Sequence, residues 1–236
     1  MSGMRKYPHQ HERLIEYGAA LNEAAAAGIL LHGRGSSASN IIQLVAGLTP
    51  YEGGSRIAWL APQAADHQWY PYRFLEPLER NEPYLSSALK VIDDLVDNAA
   101  IAGIAADQVV IGGFSQGACL ALEYVARRSR PVGGVFAFAG ALIGPPDDER
   151  PSLPDLTGVP VFIGCGDMDA HIDIELADRS AQSFRDAGAA VDFRRYKGLH
   201  HTIVEDELGA AKALISVVLP APVDSVEPAA VRSPRT

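Results

Sequence analysis

The chain has 236 residues, 47% of them hydrophobic, and a formal charge of −9. That is enough apolar material for one sizeable core, and the spread-out acidity argues against a nucleic-acid footprint. Two cysteines make no disulfide framework, and no run approaches the roughly 18 apolar residues of a membrane helix. Residues 1–16 are polar and lack the apolar centre of a signal peptide, so a cytoplasmic location is expected.

In chain order, apolar blocks bounded by turn residues alternate with helical spacing, the pattern of a mostly parallel sheet covered on both faces. The predicted strands are 28–31, 56–60, 108–112, 134–138, 159–164 and 191–196. The first follows four alanines that favour helix by propensity, but its apolar run and the glycine turn after it decide for strand. Helical spacing covers 38–47, 83–100, 116–128, 174–187 and 202–218. Residues 144–158 are rich in proline and acid and read as a surface excursion. No repeat is present. The pattern predicts one α/β domain over 1–219 and a disordered tail over 220–236, which holds four prolines and no apolar period.

The chemistry centres on Gly113-Phe114-Ser115-Gln116-Gly117, set between a predicted strand and a predicted helix. A sharp strand-to-helix turn projects the serine hydroxyl clear of the sheet, and the flanking glycines keep side chains out of that turn. A serine hydroxyl needs a base to take its proton, and in an α/β-hydrolase an acid and then a histidine follow from loops after later strands. Asp167 and Asp169 stand after the fifth predicted strand, His200 and His201 after the sixth, and spacing alone does not choose within either pair. The turn at Gly33-Arg34-Gly35 follows the first predicted strand, so the Arg34 and Gln116 amides are the predicted oxyanion donors. Trp69 and Phe74, in the long segment 63–82, are read as walls of an acyl pocket, with packing of the loop as the competing role. Cys119, one helical turn after Ser115, reads as a buried core residue, and His171 as a loop residue at the rim of the site. No zinc-type ligand spacing occurs, and neither metal nor cofactor is expected.

Together, LHGRGSSA at 31–38, GGFSQGA at 112–118, GDMD at 166–169 and YKGLHHT at 196–202 resemble the phospholipase/carboxylesterase group of α/β-hydrolases. The resemblance implies the α/β-hydrolase fold, with Asp169 as the acid and His201 as the base. Two positions depart from the group's pattern. A proline that often follows the acid is missing, with Asp173 in that region, and Arg34 stands where thioesterases more often carry leucine.

The expected activity is a serine carboxylesterase acting on short- to medium-chain esters through an acyl-enzyme. An acyl-protein thioesterase or lysophospholipase is the neighbouring alternative. A non-catalytic module binding a lipid or a protein is the alternative of another class. The expected partner is a small-molecule ester, with self-association left open.

Overall fold

The computed structural model describes residues 7–49, 56–127, 132–148 and 150–219. Its strands are β1 (Leu14–Gly18), β2 (Ala26–Leu31), β3 (Ile57–Pro62), β4 (Val109–Phe114), β5 (Gly134–Phe138), β6 (Pro160–Gly166) and β7 (Ala190–Tyr196). They form a seven-stranded sheet in the order β1-β3-β2-β4-β5-β6-β7. All neighbours are parallel except β1, which runs antiparallel to β3. The helices are α1 (Ala38–Ile41), α2 (Val45–Leu48), α3 (Tyr84–Ile101), α4 (Gln116–Arg127), α5 (Ile174–Asp186) and α6 (Glu205–Val218).

Side-chain alternation along the strands sorts the core into two layers. Ala27, Ile29 and Leu31 of β2, Val109 and Ile111 of β4, Val135 and Ala137 of β5 and Val161 and Ile163 of β6 face α3, α4 and α5. The residues between them, Leu30, Val110, Phe136, Phe138 and Phe162, face α1, α2 and α6. Both faces are thus buried, which is why the central strands read as near-continuous apolar runs. The connection leaving β2 crosses one face to β3, and the connection from β3 returns over the other face to β4. Ligands of such sheets bind at the carboxyl ends of the strands where this reversal occurs, here between β2 and β4.

The structure departs from the predicted elements in three places. The strand β1 was not predicted; it is a largely exposed edge strand, and a strand with solvent on both faces has no apolar alternation to detect. The helix predicted over 38–47 is broken into α1, a 3₁₀ turn over Ile42–Leu44 and α2. Helix α6 begins three residues after the predicted 202, at an acidic first turn of Glu205, Asp206 and Glu207 that suits the helix dipole. The tail predicted over 220–236 lies outside the described residues. Among the described residues, no helix is long and apolar enough to cross a membrane.

Candidate active site

The strand β4 ends at Phe114 and α4 begins at Gln116, leaving Ser115 alone at the corner with φ of 56°. A non-glycine residue in this left-handed region is strained, and the strain is held by the bond from its amide to the Phe138 carbonyl at 2.9 Å. A Cβ on Gly117 would fall 2.1 Å from the Leu31 carbonyl oxygen, and one on Gly113 would fall 2.6 Å from the same atom. Both positions therefore demand glycine, since β2 and the start of α4 touch backbone to backbone. The turn after β2 also abuts the corner: a Cβ on Gly33 would lie 3.4 Å from the Ser115 Cβ.

Loops after β6 and β7 bring the acid and the imidazole to this corner. His201 Nε2 lies 2.8 Å from Ser115 Oγ, and His201 Nδ1 lies 2.6 Å from Asp169 Oδ2. The Asp169 carboxylate is fully buried, and its Oδ1 accepts from the amides of His171 and Ile172 at 2.8 and 3.0 Å. Asp167 does another job. Its Oδ1 accepts from the Gly198 amide at 2.6 Å, pinning the turn that delivers His201. His200 points away, with Nδ1 3.1 Å from the Met168 carbonyl.

Two rings flank His201: Phe114 at 4.7 Å and His171 at 4.6 Å between centroids. Sequence reasoning placed His171 at the rim and overlooked Phe114, though Phe114 is the residue before the serine in the predicted turn. Cys119 is fully buried, and burial pushes its thiol up to about 12, so no thiolate competes with the hydroxyl at neutral pH.

The turn bearing Arg34 is held by His32, whose Nδ1 bonds the Gly33 carbonyl at 2.8 Å while Nε2 accepts from the Ala64 amide at 3.0 Å. Burial lowers the His32 pKa, which favours the neutral ring this bonding needs. No backbone carbonyl among the described residues accepts from the Arg34 amide. Gln116 is the first residue of α4, where an amide has no intrahelical acceptor.

Trp69 has no face open to a ligand. It is fully buried, its indole N–H donates to the His32 carbonyl at 2.8 Å, and its ring packs on His9 and His32. The pocket-wall role expected of Trp69 gives way to the alternative, packing the loop down. Phe74 instead lines a cavity of about 800 Å³ together with Leu75, Leu78, Ile143 and Leu176. Glu123, buried and paired with Arg127 and Arg150, is among its polar lining residues. Neither Ser115 nor His201 is among the residues lining that cavity.

A family model described as phospholipase/carboxylesterase matches residues 18–219, which include Ser115, Asp169 and His201. The chain belongs to that family. Acyl-protein thioesterase 1 of Saccharomyces cerevisiae is 34% identical over 52% of this chain and 55% of its own length. The chain thus spans about half of such curated relatives. A solved phospholipase/carboxylesterase from Dyadobacter fermentans is 37% identical, covers 89% of this chain and 98% of its own, and superposes with a TM-score of 0.80. The Arabidopsis thaliana SOBER1 structure, 22% identical over 83% of this chain and 99% of its own with a TM-score of 0.68, shares the fold.

Both departures from the phospholipase/carboxylesterase pattern have a structural account. Asp173 caps α5, its side chain accepting from the Glu175 amide at 2.9 Å, so it starts the helix that follows the acid. The Arg34 side chain bonds the segment 68–72.

Proposed function

We propose that the protein is a serine carboxylesterase that hydrolyses short- to medium-chain carboxylic esters through an acyl-enzyme. The observation that carries this reading is the continuous path from Ser115 Oγ through His201 to the buried Asp169, at 2.8 and 2.6 Å, on a strained corner. Ser115 Oγ attacks the ester carbonyl while its proton passes to His201 Nε2. Asp169 stabilises the resulting imidazolium at Nδ1, and the Arg34 and Gln116 amides meet the charge on the carbonyl oxygen. Collapse of the tetrahedral species breaks the C–O bond, and the departing alkoxide takes the proton from His201. Water then enters, gives its proton to His201 and attacks the acyl carbon. The carboxylic acid leaves as Ser115 regains the proton. No step uses a metal or cofactor.

The preference for shorter chains is supported by the fully buried Trp69 and Cys119 near the corner and by the cavity at Phe74, whose lining omits Ser115. The thioesterase names of the fungal relatives favour a second reading, in which the leaving group is a thiol.

A fluorophosphonate probe followed by peptide mass mapping tests the mechanism. The expected adduct is on Ser115, absent in Ser115→Ala, with kcat for a p-nitrophenyl ester lowered by about 10⁶ in that variant. An unlabelled wild type without turnover would leave the non-catalytic binding module as the function. Matched ester and thioester substrates separate the two hydrolase readings.

A further inference from the structure

An oxyanion donor works only when it is fixed before the charge develops, to within about 0.5 Å. The Arg34 amide sits in a turn between Gly33 and Gly35, the latter at φ of +74°, where the Gly35 amide donates to the His67 carbonyl at 2.7 Å and the Ser36 amide to the Gly33 carbonyl at 3.1 Å. The Arg34 side chain adds a restraint from outside the turn, on the residue that carries the amide itself. Its Nη1 donates to Gln68 Oε1 at 2.7 Å and the Pro71 carbonyl at 2.9 Å. Its Nη2 donates to the carbonyls of Tyr70 and Tyr72 at 2.8 and 2.5 Å.

Gln116 lands on the same segment. Its Nε2 donates to the Tyr70 carbonyl at 2.8 Å, and its Oε1 accepts from the Trp69 amide at 2.8 Å. The Tyr70 carbonyl therefore receives hydrogen bonds from the side chains of both residues whose amides are assigned to the oxyanion. That segment is in turn fastened to the core. The Trp69 carbonyl bonds the buried His9 at 3.0 Å, and the Tyr72 amide donates to the buried Asn81 at 2.9 Å.

We propose that the Arg34 guanidinium is a positioning residue, which with the Gln116 side chain ties both oxyanion amides to one rigid brace, residues 68–72, through the Tyr70 carbonyl. The inference rests on the oxyanion assignment made under the proposed function. It gives the departure from leucine at position 34 a purpose in the reaction. A planar fork can reach four acceptors at once, whereas a leucine reaches none and a lysine offers a single point of charge.

The test compares Arg34→Leu, Arg34→Lys, Gln116→Ala and the Leu/Ala double variant, all of which keep both backbone amides. Steady-state hydrolysis of p-nitrophenyl butyrate is measured beside inhibition by a trifluoromethyl ketone, which forms a tetrahedral oxyanion on the serine. In Arg34→Leu, kcat is expected to fall about 10- to 100-fold with KM within about threefold, and the inhibitor is expected to weaken in step with kcat/KM. Arg34→Lys is expected to recover part of the loss. The double variant is expected to lose less than the product of the two single losses, because both act through one carbonyl.

A folded Arg34→Leu protein with kcat and inhibitor affinity within about threefold of wild type overturns the brace. Should that variant not fold, Arg34→Lys decides, and wild-type kcat in it overturns the proposal. Loss of stability with kcat and inhibitor affinity preserved at low temperature overturns it too, since it makes Arg34 a packing residue alone. Ser115→Ala run alongside keeps the two readings apart. Full turnover there removes the hydrolase mechanism itself, whereas a dead Ser115→Ala beside an unaffected Arg34→Leu removes only the brace.

Discussion

Asp169 divides its two oxygens between two tasks: Oδ1 takes the amides of His171 and Ile172, and Oδ2 takes the His201 ring. The backbone bonds fix the carboxylate so that its remaining oxygen can select one tautomer of the imidazole. Asp167, two residues earlier, spends its carboxylate on the Gly198 turn. Asp169→Asn is accordingly expected to lower kcat by about 10⁴ through the wrong tautomer, and His201→Ala by about as much as loss of the serine. Asp167→Asn and His200→Ala are expected to stay within about tenfold of wild type. Steady-state kinetics on one ester checks all four, and a dead His200→Ala would move the base by one residue. The choice between these neighbours was not legible from spacing, because one residue of register in a loop changes nothing in the local pattern. Nor were the flanking ring of Phe114 or the bonds of Arg34 to residues 68–72, since each is a contact between segments far apart in the chain. Ser115 was legible because the two glycines its corner demands, Gly113 and Gly117, both stand two residues from it, although the atom that demands them is the distant Leu31 carbonyl.

At the scale of elements, the entry into α6 shows how a capping device can carry an electrostatic cost. Glu207 at the third position of the helix accepts from the Val204 amide at 2.9 Å, yet its other oxygen is buried with no hydrogen-bond partner among the described residues. Burial is the main cause that raises its pKa to about 7, with Asp206 and Asp169 adding to the rise. A carboxyl whose folded pKa lies above its unfolded value keeps its proton in the folded state while the unfolded chain loses it. Stability from this group is therefore lost as pH rises from about 4.5 to about 7, and the penalty is constant above that. Glu207→Gln keeps the capping geometry and removes the charge. The variant is expected to gain stability over wild type across this interval, by on the order of 2–3 kcal/mol at pH 8, with no gain at pH 4. Urea unfolding at both pH values measures it, and an equal difference at pH 4 and 8 would show that the charge is not the cause. The central strands and long helices were readable because burial on one or two faces leaves a periodic trace. The edge strand β1 and the broken helix at 38–48 were not, since an exposed strand and a single turn of helix are set by their neighbours.

At the scale of the whole molecule, the sheet reverses its strand order beside β2, and both the Arg34 turn and the Ser115 corner rise from that crevice. The segment 63–82 closes over it, stitched down by His9, His32, Arg34 and Gln116. In the short-chain reading this roof bounds the space for an acyl chain, and a formal charge of −9 offers no electrostatic attraction to an anionic membrane surface. Across p-nitrophenyl esters of increasing length, kcat/KM is expected to rise by about fourfold for each methylene that finds apolar contact, since each is worth about 0.8 kcal/mol, and to stop rising where the wall is met. Phe74→Ala enlarges a cavity whose lining omits Ser115 and His201, so it is expected to leave that optimum in place. Trp69→Ala is expected to act on the fold instead, costing about 3–5 kcal/mol of stability as a core deletion, because its ring faces no open space. A wild-type kcat/KM that climbs steadily through palmitoyl esters would remove the short-chain preference. It would place the protein with the thioesterase or lysophospholipase alternative, the roof then having to open for each long chain admitted.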